Sequence, residues 1–122
     1  MTNAAPPILV AEDEAMLRVL AVEMLEDAGF QVFEAGDGVE ALDILKANPQ
    51  IALLVSDIKM PRMDGYALVT AGLEFKPDLK VLLMTGYSQD PPPHFLKERD
   101  IQILHKPFNL EKLCAVAAQM MA

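Results

Sequence analysis

Apolar residues fall along this chain in short runs that alternate between two periods. Residues 8–11 are continuously apolar and too short for a helix, so they read as a buried strand. Glu12, Asp13 and Glu14 follow at once. Met16, Leu17, Leu20, Met24 and Leu25 then recur at helical spacing, which predicts a helix over about 15–28, closed by Gly29 as the C′ residue. Residues 31–35 alternate, as a strand nearer a sheet edge would. The turn Gly36-Asp37-Gly38 leads into a helix with Ala41, Leu42 and Leu45 on one face, stopped by Asn48-Pro49.

A third strand is predicted over 51–57. It begins as an unbroken apolar run rich in β-branched residues and ends on an acid, Asp57. A loop with Pro61 and Gly65 leads to a helix over about 66–74, and a fourth strand spans 80–84, stopping at Thr85-Gly86. Residues 87–93 read as loop, because three consecutive prolines can only border a helix. A weak helix over 94–99 precedes a fifth strand, 101–104, which ends at His105-Lys106-Pro107. The last helix, 110–121, carries Leu113, Val116, Ala117 and Met120 along one face. Strands alternating with helical segments predict an α/β domain, a parallel sheet covered on both faces by right-handed crossovers.

Composition narrows the picture without changing it. The 122 residues suit one domain: a disordered arm over 1–7, stiffened by Pro6 and Pro7, then the folded unit over 8–122. A net charge of −8 argues against a nucleic-acid partner, because phosphate backbones require a basic surface. One cysteine, Cys114, excludes an internal disulfide and fits a reducing compartment. No apolar run is long enough to span a bilayer, and the N-terminus lacks a secretory pattern, so a cytoplasmic protein with no membrane partner is expected.

The chemistry sits at the strand ends. Glu12 and Asp13 follow the first strand, Asp57 ends the third, Thr85 follows the fourth and Lys106 the fifth. In a parallel sheet all these ends share one edge, where open α/β sheets bind ligands. Three carboxylates in one crevice repel by about 4 kcal/mol per close pair at an effective dielectric near 20. Lys106 offsets part of this, and a hard divalent cation would offset the rest. Magnesium suits such a site, with oxygen ligands, retained waters and an open side for phosphate. Phosphoryl transfer onto or off a carboxylate is the chemistry favoured. Singly, each residue has a plainer reading: Asp57 as a turn or cap, Glu12 to Glu14 as an acidic helix start, Thr85 as a loop hydroxyl, Lys106 as a surface lysine. Only their convergence makes a site.

LVAEDE, LLVSDIKMPRMDGY, LLMTGYS and ILHKPF stand in the order and at the spacing of the receiver domain of two-component response regulators, which the chain resembles over 8–121. The resemblance implies a flavodoxin-like three-layer (βα)5 sandwich with strand order 2-1-3-4-5. It implies Asp57 as phosphoryl acceptor and Mg2+ ligand, Asp13 as a direct Mg2+ ligand, Glu12 acting mainly through water, and the backbone carbonyl of Lys59 as the third protein ligand. Thr85 would hydrogen-bond the phosphoryl group, Lys106 would pair with it, and a cis peptide would precede Pro107. The donor would be a sensor histidine kinase or histidine phosphotransfer protein.

The sequence also departs from that pattern. Many receivers carry an aromatic residue where this chain has Ile103, so the usual threonine–aromatic coupling lacks its ring, and Tyr87 is the candidate substitute. Gly86 leaves the phosphoryl group uncrowded, and the Lys59 side chain is placed to tune its lifetime. Pro91, Pro92 and Pro93 shorten the usual output helix, so the 88–99 face is expected to be mobile before phosphorylation and ordered afterwards. His94 and His105 are expected to be solvated, Cys114 to pack as a small apolar residue, the methionines to fill the core, and Asp37, Asp64 and Asp90 to serve turns. A chain running from Met1 to just past the last helix suggests a complete protein whose output is protein–protein contact. Two rival readings are a metal-dependent phosphohydrolase with an aspartyl nucleophile and a receiver-like interaction module that works without phosphorylation. The first would want an acid where Lys59 stands.

Overall fold

The computed structural model describes residues 6–85, 101–105 and 109–121. Its elements are β1 (Ile8–Ala11), α1 (Ala15–Asp27), β2 (Val32–Ala35), α2 (Gly38–Ala47), β3 (Leu53–Asp57), α3 (Gly65–Phe75), β4 (Lys80–Thr85), β5 (Ile101–His105) and α4 (Leu110–Met121). The five strands are all parallel, in the order β2-β1-β3-β4-β5. That is the three-layer α/β sheet order expected. The 94–99 helix, the triple proline, and the residues Gly86, Tyr87, Lys106 and Pro107 lie outside the described residues.

Strand periodicity builds two cores. On one face Leu9, Ala11, Leu54, Val81 and Leu83 pack with Ala41 and Leu45 of α2 and Leu68, Val69 and Leu73 of α3. On the other, Ile8, Val10, Leu53, Val55, Leu82 and Met84 meet Ala21, Val22 and Leu25 of α1 and Leu113, Ala117 and Met120 of α4. Because β1, β3 and β4 are covered on both sides, both alternating sets must be apolar, which explains their continuous runs. β2 is an edge strand, partly exposed over most of its length, which explains its alternation.

Element boundaries shift slightly. β3 starts at Leu53, two residues later than expected, although Ala52 already bonds to both neighbours, by its N–H to the Pro7 carbonyl and by its carbonyl to the Lys80 N–H. β4 and β5 each run one residue further, through Thr85 and His105. α1 departs more. Of its expected apolar stripe only Leu25 is fully buried, whereas Met16 is 76% exposed and Leu17 and Leu20 are also open to solvent. The inward row is Ala21, Val22 and Leu25. Leu17 lies on the same i, i+4 row but in the first turn, at the carboxyl edge of the sheet. Core filling by methionine holds for Met84 and Met120 and fails for Met16.

Local chemistry sets the helix ends. The N–H of Gly29 (φ +100°) donates to the Glu26 carbonyl and that of Phe30 to the Leu25 carbonyl, a Schellman closure in which glycine supplies the left-handed residue. Asp37 accepts from the Glu40 N–H at 2.8 Å, Asp64 from the Ala67 N–H at 2.9 Å, and Asn109 from the Lys112 N–H at 2.7 Å. Each such N-cap is worth about 1 kcal/mol. The turn aspartates Asp37 and Asp64 are therefore helix caps.

Candidate functional site

Strand register brings the acids together. Ala11 pairs with Ser56, so Glu12, one residue past β1, is level with Asp57 at the end of β3. Asp57 pairs with Met84, which sets Thr85 one residue beyond it on the neighbouring strand. Glu12, Asp57 and Thr85 are all buried, at 3%, 8% and 6% exposure, among the few buried polar side chains of the described residues. Asp13 is exposed at the mouth. One carboxylate oxygen from each of Glu12, Asp13 and Asp57 lies within 4.8 Å of the others. At that spacing each pair of charges repels by about 3 kcal/mol at an effective dielectric of 20.

The chemistry of this donor set fits a hard divalent cation. It consists of carboxylate oxygens alone, with neither the imidazole nor the thiolate that softer metals prefer, and two of the three are already withdrawn from bulk water. Acids preceding α1 could instead have served its dipole. However, Glu14 at the N-cap makes no side-chain capping hydrogen bond, and the first turn of α1 holds no acid.

A closed loop runs from Ile58 to α3. Its base is tied by the Ile58 N–H to the Met84 carbonyl at 3.1 Å and by the Gly65 N–H to the Ile58 carbonyl at 2.7 Å. Inside it the Met63 N–H reaches the Pro61 carbonyl at 2.7 Å. Lys59 sits exposed on this loop. Arg62 adopts φ +68°, the left-handed region that a residue other than glycine enters only at a cost. Lys106 lies outside the described residues, so the structure brings together Glu12, Asp13, Asp57 and Thr85 and leaves the lysine unplaced.

Two arginines with no local sequence signal for the role bind the segments around these acids. Arg18 of α1 donates from Nη1 to the Glu12 carbonyl at 2.8 Å and from Nε to Glu34 Oε1 at 3.1 Å. Arg62 donates from Nε and Nη2 to Asp37 Oδ2, at 3.1 and 2.8 Å. The cap from Glu40 and the Arg62 guanidinium hold the Asp37 carboxyl below its ordinary pKa. Asp37 before a helical run was legible as a cap. Its partner, 25 residues away, had no local signal. His105 is exposed, as expected, and Ile103 is half-buried against the α2–α3 core. Cys114 packs at the edge of the α1–α4 core, and burial, with Asp27 nearby, raises its thiol pKa.

The fold and site define the class: a doubly wound α/β domain with three acids clustered at the carboxyl edge of its sheet. Residues 8–118 match the model of the response regulator receiver domain. The receiver protein CpdR of Brucella abortus is 39% identical over 107 residues, covering 87% of this chain and 88% of CpdR. The sensor kinase CckA of the same organism is 34% identical over 121 residues, 98% of this chain but only 13% of the kinase. The solved structure of the chemotaxis protein CheY4 of Vibrio cholerae superposes with a TM-score of 0.84 at 28% identity, covering 95% of this chain and 98% of that one. The chain belongs to the response regulator receiver family, and with it to the phospho-accepting modules of two-component phosphorelays. The phosphohydrolase and phosphorylation-free readings are not favoured. Among the described residues no helix is long and apolar enough to cross a membrane.

Proposed function

We propose that Asp57 is the phosphoryl acceptor of this receiver and that Asp57 itself, Glu12, Asp13 and the backbone carbonyl of Lys59 hold Mg2+ beside it. The observation that carries this reading is the buried Asp57 carboxylate within 4.8 Å of the Glu12 and Asp13 oxygens at the strand tips. A carboxylate oxygen of Asp57 attacks the phosphorus of a phosphohistidine, the P–N bond breaks, and the imidazole leaves neutral, keeping the proton already on its other ring nitrogen. Thr85 donates its hydroxyl to a phosphoryl oxygen, and Lys106 pairs with the new anion. A bound Mg2+ supplies charge neutralisation for the three carboxylates and the transferred group. Water attacking the same phosphorus later releases phosphate and restores the carboxylate.

The donor is a sensor histidine kinase or histidine phosphotransfer protein, and the compartment is the cytoplasm. A free cysteine and a net charge of −8 accord with this, and the acidity disfavours a nucleic-acid output. The test is incubation with Mg2+ and a small acyl phosphate, followed by mass analysis of an Asp57-linked phosphate. Labelling that disappears in Asp57→Asn and in chelator is the expected result. Undiminished labelling of Asp57→Asn would overturn it.

A further inference from the structure

The loop after Asp57 is fastened at a point remote from the acids. Its ends are tied to the strand tips, but its middle is held from the β2–α2 turn, which contributes none of the clustered acids. Arg62, half-way along, forks onto a single oxygen of Asp37, whose other oxygen caps α2 through the Glu40 N–H. Beside it Gly38 lies so close to Met63 that a Cβ there would overlap the Met63 carbonyl oxygen. The turn and the loop therefore meet as two backbones, with an ion pair across the seam.

Arg62 occupies a left-handed conformation that glycine would take without strain, yet it carries the side chain that makes the pair. A residue kept in a costly conformation, with its charged end anchored, points to a demand on where the loop sits. We infer that the Asp37–Arg62 pair is a latch that positions the loop bearing Lys59 over the acidic cluster, making both positioning residues for the metal. This rests on the metal site proposed above. Asp37 and Arg62 touch neither the ion nor the phosphoryl group. They fix the loop between Asp57 and α3, and so the place of any backbone oxygen that the loop presents. Without the latch the loop stays attached at its base, but its middle samples a wider range, and metal binding must then order it.

Calorimetric titration with Mg2+ alone, paired with thermal unfolding in chelator, tests the latch. Arg62→Gly removes the pair together with the strain, and Asp37→Asn removes the charge while keeping an N-cap of equal quality. Each variant is expected to bind Mg2+ about two- to fivefold more weakly, the affinity equivalent of an exposed ion pair. The double variant is expected to bind no more weakly than either single one. Arg62→Gly should lose this affinity without a lower unfolding temperature, which separates positioning from stability. Wild-type affinity in both single variants, or effects that add in the double variant, would overturn the latch while leaving the metal site intact. A wild-type chain that takes up no Mg2+ would overturn the site and the latch together.

Discussion

Gly65 lies directly against the backbone of Asp57. A Cβ at position 65 would stand 2.5 Å from the Asp57 carbonyl oxygen and 2.8 Å from the Ile58 Cα. The start of α3 is thus seated under the peptide that carries the proposed acceptor, and only a residue without a side chain allows it. Gly65→Ala is expected to cost about 1–3 kcal/mol, the range for overpacking a filled site. With no tryptophan in the chain, urea unfolding followed by circular dichroism reads the change as a lower midpoint with an unaltered slope.

The acidic cluster predicts a trade between stability and binding. Three carboxylates lie within 4.8 Å of one another, and a bound divalent cation would offset their mutual repulsion. Asp57→Asn removes one charge and is expected to stabilise the chain in chelator by roughly 1–3 kcal/mol, part of the Coulomb energy between neighbouring acids. Millimolar Mg2+ should raise the wild-type unfolding temperature and raise that of the variant less, because ligand stabilisation follows the affinity lost. Thermal scans of both proteins with and without Mg2+ give the comparison.

The strand tips were readable in the sequence because a two-sided sheet forces continuous apolar runs, and each run ends where the polar group begins. Asp57, Glu12 and Thr85 were legible for that reason, and their convergence followed from parallel topology alone. The exposed face of α1 was not. Met16, Leu17 and Leu20 have the spacing of a buried stripe, but spacing does not say how far the sheet extends beneath the first turn. The Asp37–Arg62 and Arg18–Glu34 pairs were also hidden, since each joins positions well apart in sequence through a contact that depends on the finished fold.

Lys59 separates into two expected roles, main chain for the metal and side chain for the phosphoryl group. Its side chain is exposed. Lys59→Ala keeps the carbonyl and is expected to leave Mg2+ affinity within about twofold of wild type, as exposed substitutions usually do. The lifetime of the acyl phosphate should nonetheless change, because the long cationic side chain begins two residues from the acceptor. Decay of labelled protein after donor removal measures this, and equal half-lives would exclude a side-chain role.

Cys114 should be a slow nucleophile. Partial burial raises its thiol above the ordinary value of 9.0, and the Asp27 carboxylate adds to the effect. At pH 8 the thiolate fraction, and hence alkylation by iodoacetamide, should fall below that of a free thiol. Asp27→Asn should speed the reaction modestly, since it removes the smaller of the two causes.

Asp37 gives the fold a pH dependence with a definite sign. Its carboxyl pKa lies below the ordinary 3.8 because the Glu40 N–H and the Arg62 guanidinium both favour the charged form. The unfolded chain therefore binds this proton more readily than the folded one, and stability rises with pH across the interval. The contribution is fully present above about 3.8 and fades as pH falls through the lower folded value. Asp37→Asn retains a neutral cap but loses the titrating group, so the stability gap between wild type and variant should be widest near neutrality and close in acid. Urea midpoints for the two proteins at pH 7 and near pH 3 measure it. The other carboxylates titrate in both chains and cancel in the difference, so a gap that persisted in acid would mean that hydrogen-bond geometry, not charge, gives Asp37 its value.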